Sequence, residues 1–199
     1  MTLNYNKMKE NKNCIQLNVE KKAKLKVDKD KKILYANDYF LNVTGYAIHE
    51  IILNDLDRIL HSEMPLSIQQ MLFEWEDDSS EKYSVIKGKT KDFDCFWGLL
   101  RINKRFNEED ELIGYLLEIK LLPNPAVSKI EKLFEVLREI EKNASVSAAQ
   151  KYLKGYLEEK NLSFKDFIFN ITEINEKKAE KYFSIDEDAK PKKKKKSWF

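Results

Sequence analysis

Ala36-Asn37-Asp38-Tyr39-Phe40-Leu41-Asn42-Val43-Thr44-Gly45-Tyr46 is the stretch on which the fold turns. Asn37 is a good helix cap, since its side-chain oxygen can accept an otherwise orphaned backbone N–H of the first turn. The short segment behind it places Phe40, Leu41 and Val43 inward and ends at Thr44-Gly45, glycine being the least strained residue just past a helix. Upstream, Lys24-Leu25-Lys26-Val27 alternates like a half-buried strand, Asp28-Lys29-Asp30 makes a turn, and Ile33-Leu34-Tyr35 reads as the second strand of a hairpin. Downstream, a second short helix is expected over Ile48 to Ile52. Pro65 then opens a longer one, Leu66 to Trp75, with Ile68, Met71, Leu72 and Trp75 on one stripe.

Three strand-like runs follow, Tyr83 to Lys87, Phe96 to Ile102 and Leu112 to Leu122, with turns at Asp92 to Asp94 and Asn107 to Asp110. Two strands, short helices, then three antiparallel strands predict an α+β fold: one curved five-stranded sheet whose concave face those helices cover. This domain runs from residue 21 to 123, behind a polar lead-in over residues 1–20.

Pro123-Asn124-Pro125 ends the sheet and opens a helical region over residues 124–183, with Asn124 read as a cap and Pro125 at the first helical position. Ile130, Leu133, Leu137 and Ile140 form a heptad stripe of about two heptads. It reads either as a helix packed on its own sheet or as a dimer seam. Ser147-Ala148-Ala149-Gln150 is a capping-box pattern opening a second helix, with Ala149, Tyr152, Leu153, Tyr156 and Leu157 inward. Ser163 to Asp166 opens a third, with Phe164, Phe167, Ile168, Ile171 and Ile174 on its face. Lys160-Asn161-Leu162 joins the two as a helical hairpin. Residues 184–199 turn polar and then polybasic, and disorder is expected there.

Composition narrows the class. Of the 199 residues, 42% are hydrophobic and 35% charged, which suits a soluble globular chain. The net charge is +2, but six lysines lie in the last ten residues, leaving the body mildly acidic and unlike a nucleic-acid binder. Two cysteines, Cys14 and Cys95, lie far apart, and the only histidines are His49 and His61, so neither a disulfide framework nor a zinc site is expected. The N-terminus has no apolar run like a secretory signal, and no stretch is apolar enough to span a bilayer. The expected compartment is the cytoplasm, where the three Asn-x-Ser/Thr matches are accidents.

The run from Ala36 to Phe40 through Thr44-Gly45-Tyr46, with Glu50 behind it, resembles the opening helices of PAS domains. More narrowly, it resembles those of the Aer-type redox and energy-taxis receptors of bacteria. Further matching pieces are His61-Ser62-Glu63-Met64-Pro65, Lys87-Gly88, Phe96-Trp97 and Gly114-Tyr115, so the resemblance covers residues 24–122. It implies a five-stranded sheet that holds FAD non-covalently and relays its redox state. Departures weaken the flavin. Leu56 and Asp57 stand where the family has a histidine and an asparagine, Leu60 where it has an arginine, and Gly88 where it has an asparagine. Lys82 lies near a usual tryptophan. Losing the arginine removes a cationic fork suited to phosphate or to reduced flavin.

Candidate pocket residues are Asn37, Phe40, His61, Trp75 and Trp97. His61 could hydrogen-bond a flavin, ligate haem iron, or merely cap the loop before Met64-Pro65. Trp75, Tyr83, Phe96 and Trp97 read as an aromatic slot or as plain core. Cys95 as a redox sensor is disfavoured, because Asp92 and Asp94 would raise its pKa. The acidic run Glu74, Glu76, Asp77 and Asp78 reads as a solvated helix end. No glycine-rich phosphate cradle and no Ser-His-Asp or Cys-His arrangement can be assembled. The chain is therefore expected to be no enzyme, and to signal by contact with another protein. A signalling protein or chemoreceptor, another PAS protein, or a second copy would be the partner.

Lys192, Lys193, Lys194, Lys195 and Lys196 followed by Trp198 and Phe199 could attach the chain to an anionic membrane, or dock in a partner's groove. The expectation is a cytoplasmic sensor or adaptor in taxis or receptor signalling, peripheral to the membrane through that tail. The alternatives are a cofactor-free scaffold that pairs with a PAS partner through the sheet's exposed face, and an FAD redox sensor.

Overall fold

The computed structural model describes residues 14–75 and 79–184. The lysine-rich tail from Lys192 to Phe199 and most of the lead-in lie outside the described residues. The strands are β1 (Cys14–Ile15), β2 (Ala23–Val27), β3 (Ile33–Ala36), β4 (Glu81–Lys89), β5 (Cys95–Phe106) and β6 (Leu112–Leu121). Between β3 and β4 lie α1 (Asp38–Thr44), α2 (Ile48–Ile51), a 3-10 turn (Leu56–Ile59) and α3 (Leu66–Met71). After β6 come α4 (Asn124–Asn143), α5 (Val146–Glu159), α6 (Phe164–Thr172) and α7 (Glu176–Ser184).

The antiparallel sheet runs β3-β2-β6-β5-β4. Its first two strands lie at one edge and its last three complete it, with the short helices inserted between. That is the PAS-like α+β arrangement the sequence predicts, followed by the expected helical region. Asn37 caps α1 by accepting the Phe40 N–H at 3.1 Å, and Gly45 closes it with φ of 73°, a left-handed turn open to glycine.

Strand alternation gives the sheet two buried faces. Leu25, Ile86, Phe96, Leu100 and Ile119 share the concave face, toward α1–α3, and each is at most 1% exposed. Tyr83, Trp97, Arg101, Glu118 and Lys120 share the outer face, and there they meet the C-terminal helices. Trp97 packs on Phe134 of α4 at 5.4 Å between ring centroids, and Tyr83 on Phe169 of α6 at 4.9 Å and Phe183 of α7 at 5.9 Å. The scaffold reading expected that outer face to be open. It is covered by the chain's own helices.

The heptad stripe resolves the same way. Ile130 and Leu137 are fully buried with Ala126 and Phe134 in the common core, and Leu133 and Ile140 are half-buried against it. Each fully buried aliphatic side chain contributes about 1.5–3 kcal/mol. A dimer seam would need the same side chains that the chain already uses internally.

Several local expectations need correction. The helix after Pro65 stops at Met71, leaving Trp75 beyond it. Pro123, not Asn124, occupies the position before α4. Ser145 rather than Ser147 caps α5, its hydroxyl accepting the Ala148 N–H at 3.1 Å, and Tyr152 is left exposed. Ser163 does open α6 as expected, and with Asp166 it forms a capping box, the pattern that the sequence predicts at Ser147 instead. Helix α7 was not anticipated, because Glu176–Ser184 carries only a short apolar stripe among lysines and glutamates. Nor was β1, two residues long, which pairs in parallel with β5 and places Cys14 opposite Cys95 in a disulfide. Sequence separation hid that pairing, because strand register brings the two residues together.

Candidate functional site

The resemblance places a ligand between the concave face and its helical roof. There the side chains fill the space themselves. Gly88 and Phe96 are partners across β4 and β5, and the Phe96 ring lies over the glycine so closely that a Cβ there would come within 2.0 Å of it. Leu60 pairs with Gly88 across an isolated bridge and is 5% exposed. Phe40, Ile59, Met64 and Ile68, each no more than 1% exposed, complete the packing.

These residues do not fit FAD. Leu60, where the resemblance would put an arginine, is apolar; Gly88, where it would put an asparagine, lies under the Phe96 ring; and the two are bridged by backbone. The packed side chains of Leu60, Phe96, Phe40, Ile59, Met64 and Ile68 are apolar and offer a flavin ring no hydrogen-bond partner.

The five candidate pocket residues are not brought together. Asn37 is spent on structure: besides capping α1, its side-chain oxygen accepts the Lys24 N–H at 2.9 Å and its amide donates to the Lys22 carbonyl at 2.9 Å. Phe40 is core. The backbone N–H of His61 donates to the Lys87 carbonyl at 2.9 Å, and its Nδ1 accepts the Glu63 N–H at 3.1 Å, which ties the loop before α3 to the edge of β4. Trp75 carries Lys104 Nζ over its ring at 4.1 Å. Trp97 points to the outer face, because its neighbour Phe96 points inward and alternate residues of a strand must oppose.

Polar residues that sequence reasoning missed are concentrated on the outer face, beneath the C-terminal helices. Glu118, 4% exposed, accepts Arg101 Nε at 2.8 Å and pairs with Lys22 Nζ at 2.7 Å. Lys22 Nζ also donates to the Phe183 carbonyl at 2.6 Å, and the Arg101 guanidinium lies 4.7 Å from the centre of the Phe183 ring. Tyr182 donates its hydroxyl to the Leu121 carbonyl at 2.9 Å. Thus α7 is seated on charged groups held by the sheet. Burial, with Glu81 nearby, pushes the Tyr83 phenol up to about 12, so it stays protonated at this seam. The sequence signal was there: Arg101 follows the apolar run Phe96 to Leu100 of β5, and Glu118 stands between Leu117 and Ile119 of β6.

Helix α4 reaches further. Beyond Phe134 on Trp97, its Glu131 lies 3.8 Å from Lys87 Nζ, and Lys87 also pairs with Glu63 in the loop before α3. Burial alone would raise the Glu63 carboxyl, yet its hydrogen bond to Lys87 and the positive charges around it hold it below its ordinary value. Near its end, α4 presents Glu141 to the start of α3, where the carboxylate accepts the N–H groups of Leu66 at 3.1 Å and Ser67 at 2.7 Å. Pro65 cannot cap α3 with its own side chain, so the cap comes from a residue in the C-terminal helical region.

A cleft of about 490 Å³ opens beside α3, between the 3-10 turn and the β2–β3 hairpin. Leu56, Leu60 and Leu72 floor it, and Asp30, Asp57 and Glu74 rim it. Among the described residues no group of His, Cys, Asp and Glu is arranged to hold a metal ion, and no helix is long and apolar enough to cross a membrane.

No protein-family model and no curated protein matches the chain. Among solved structures, it is similar to the dark structure of the blue-light photoreceptor Aureochrome1 LOV, with a TM-score of 0.47 and 17% identity over 60% of this chain and 86% of that one. It is also similar to the PAS domain of the fruit-fly ELK potassium channel, at 0.44 and 18% over 50% and 85%. A PAS domain of a protein from Colwellia psychrerythraea matches at 0.40 and 15% over 50% and 85%.

Proposed function

We propose that the chain is a PAS-type signal-transduction protein without enzymatic chemistry of its own, which passes the state of its roof helices to another protein through its C-terminal helices. The observation that carries this reading is the Glu141 cap. A helix on the roof and a helix from the opposite face share one charge-assisted hydrogen-bonded junction, so displacing α3 removes a partner from α4. A change of a few kcal/mol in that junction is enough to shift the balance between two packings of α4.

The non-enzymatic reading is supported by the histidines. His49 is exposed on α2, and the Nδ1 of His61 is occupied by a backbone N–H of its own loop. The Aer-type likeness of residues 24–122 supports a place in taxis or another receptor pathway, in the cytoplasm, with a chemoreceptor or other signalling protein as the partner. Pairing with a second PAS protein through the outer face would require α6 and α7 to move off Tyr83. The tail from Lys192 to Phe199 would add reversible attachment to an anionic membrane.

Deleting the gene in its host and scoring migration in chemical gradients tests this reading. Loss or inversion of the taxis response with swimming speed intact is expected. Complementation should succeed with the wild-type chain and fail with Glu141→Ala expressed at equal level. Unchanged migration in the deletion strain would remove the taxis assignment, and full complementation by Glu141→Ala would remove the relay.

A further inference from the structure

Cys14 and Cys95 are the only cysteines in the chain, and they lie 81 residues apart. The fold sets them directly opposite one another, with Cα atoms 4.3 Å apart in a disulfide. What β1 does at that place follows from the register of β5. Along one edge, β4 covers β5 from Asn103 to Cys95. Along the other, β6 reaches only to Gly98, opposite Leu121, before the chain leaves for α4 at Pro123. Strand β1 takes the stretch of that edge left over, opposite Cys95 and Phe96. It therefore occupies the lane β6 would have continued in, beside the junction from which α4 departs. Two residues make too few ladder bonds to hold a strand by themselves. The covalent link to β5 adds to the anchoring that Leu17, buried two residues on, and the Asn18 N–H on the Tyr39 hydroxyl already supply.

We infer that Cys14–Cys95 is a reversible thiol–disulfide site, reacting with low-molecular-weight thiols and disulfides, and that its oxidation state decides whether β1 occupies the edge beside the β6–α4 junction. Cys95 is 7% exposed and Cys14 is only half-buried, so an incoming thiolate attacks the Cys14 sulfur. The S–S bond between the protein sulfurs breaks, Cys95 leaves as a thiolate, and a mixed disulfide forms on Cys14. A second thiolate attacks the outer sulfur of that mixed disulfide, releasing the small disulfide and the Cys14 thiolate, and water protonates both protein thiolates. Two electrons have passed from two small thiols to the protein. Oxidation is the reverse, with the small disulfide as oxidant. A reducing compartment would hold the pair as dithiol, so oxidation would be the event that writes the signal. The site does not depend on which signalling protein the chain contacts.

The test is to equilibrate the full chain in reduced and oxidised glutathione mixtures, quench with acid, and alkylate with a maleimide large enough to count by mass. A single passage from two labels to none is expected, with the chain still monomeric on a non-reducing gel. Hydrogen exchange on the two end states should show amides at residues 15–17 and 122–127 exchanging about tenfold faster or more after reduction. Cys14→Ser, which alters only a half-buried side chain at the sheet edge, should exchange like the reduced chain in every mixture. Two labels in all mixtures, a disulfide-linked dimer, or identical exchange in the two end states would each overturn the inference.

Discussion

Glu141, close to the end of α4, accepts the backbone N–H of Ser67, at the start of α3, at 2.7 Å across 74 positions of chain. The α3 terminus thereby gains the side-chain acceptor that Pro65 cannot supply, together with a negative charge at the positive end of its dipole. Replacing Glu141 by alanine is expected to cost about 1–2 kcal/mol, by analogy with other lost caps. Glu141→Gln keeps an acceptor and loses the charge, so it should cost less. Urea unfolding of the three proteins checks the order; equal midpoints would show that the junction contributes nothing.

The filled concave face makes a second prediction. An alanine at Gly88 would press its Cβ into the Phe96 ring, and overpacking of this kind costs about 1–3 kcal/mol. Phe96→Leu clears the space, so the double variant should lose less stability than the two single losses added together. Additive losses, measured by thermal unfolding, would mean that the ring does not rest on the glycine.

The buried charges under α7 predict an asymmetric cost. Glu118→Ala removes one carboxylate partner from both Arg101 and Lys22 in a seam with little water, and losses of up to about 3–5 kcal/mol are typical of such breaks. Because Lys22 also donates to the Phe183 carbonyl, α7 should loosen first. Limited proteolysis with trypsin should cut at Lys177, Lys178 or Lys181 before any site in β4–β6. Initial cutting in the sheet would contradict this seating.

Much of this architecture was legible in the sequence, and the misses share a cause. Asn37, Gly45 and the alternation of Leu25 and Val27 are local signals, read by the chain within a few residues of themselves. The faces were harder. Trp97 looked like a pocket residue because the Phe96-Trp97 pair matched a motif, yet strand alternation sends one inward and the other out. The stripe through Ile130 and Leu137 marked a buried helix face without saying what buries it. Glu141, Glu118 and Cys14 owe their roles to partners more than 15 residues away, and no periodicity within a helix or strand records such a partner.

The lowered Glu63 carboxyl gives a pH dependence with a definite sign. Its pKa in the folded chain lies below the ordinary 4.5, so the Lys87 pair contributes stability above that value and loses it as pH falls through the lowered one. Glu63→Gln should therefore flatten the acid limb of the stability curve while leaving its shape near neutrality unchanged. An acid limb of unaltered slope would assign the dependence to other carboxylates.

Hydrogen–deuterium exchange on the wild-type chain and on Glu141→Ala tests most directly whether the roof and the C-terminal helices move together. The expected result is faster exchange in α3 over Leu66–Met71 and, in the same variant, in the second half of α4 up to Asn143, with the β5–β6 ladder unchanged. Faster exchange confined to α3, with α4 as protected as before, would contradict a signal that leaves through α4.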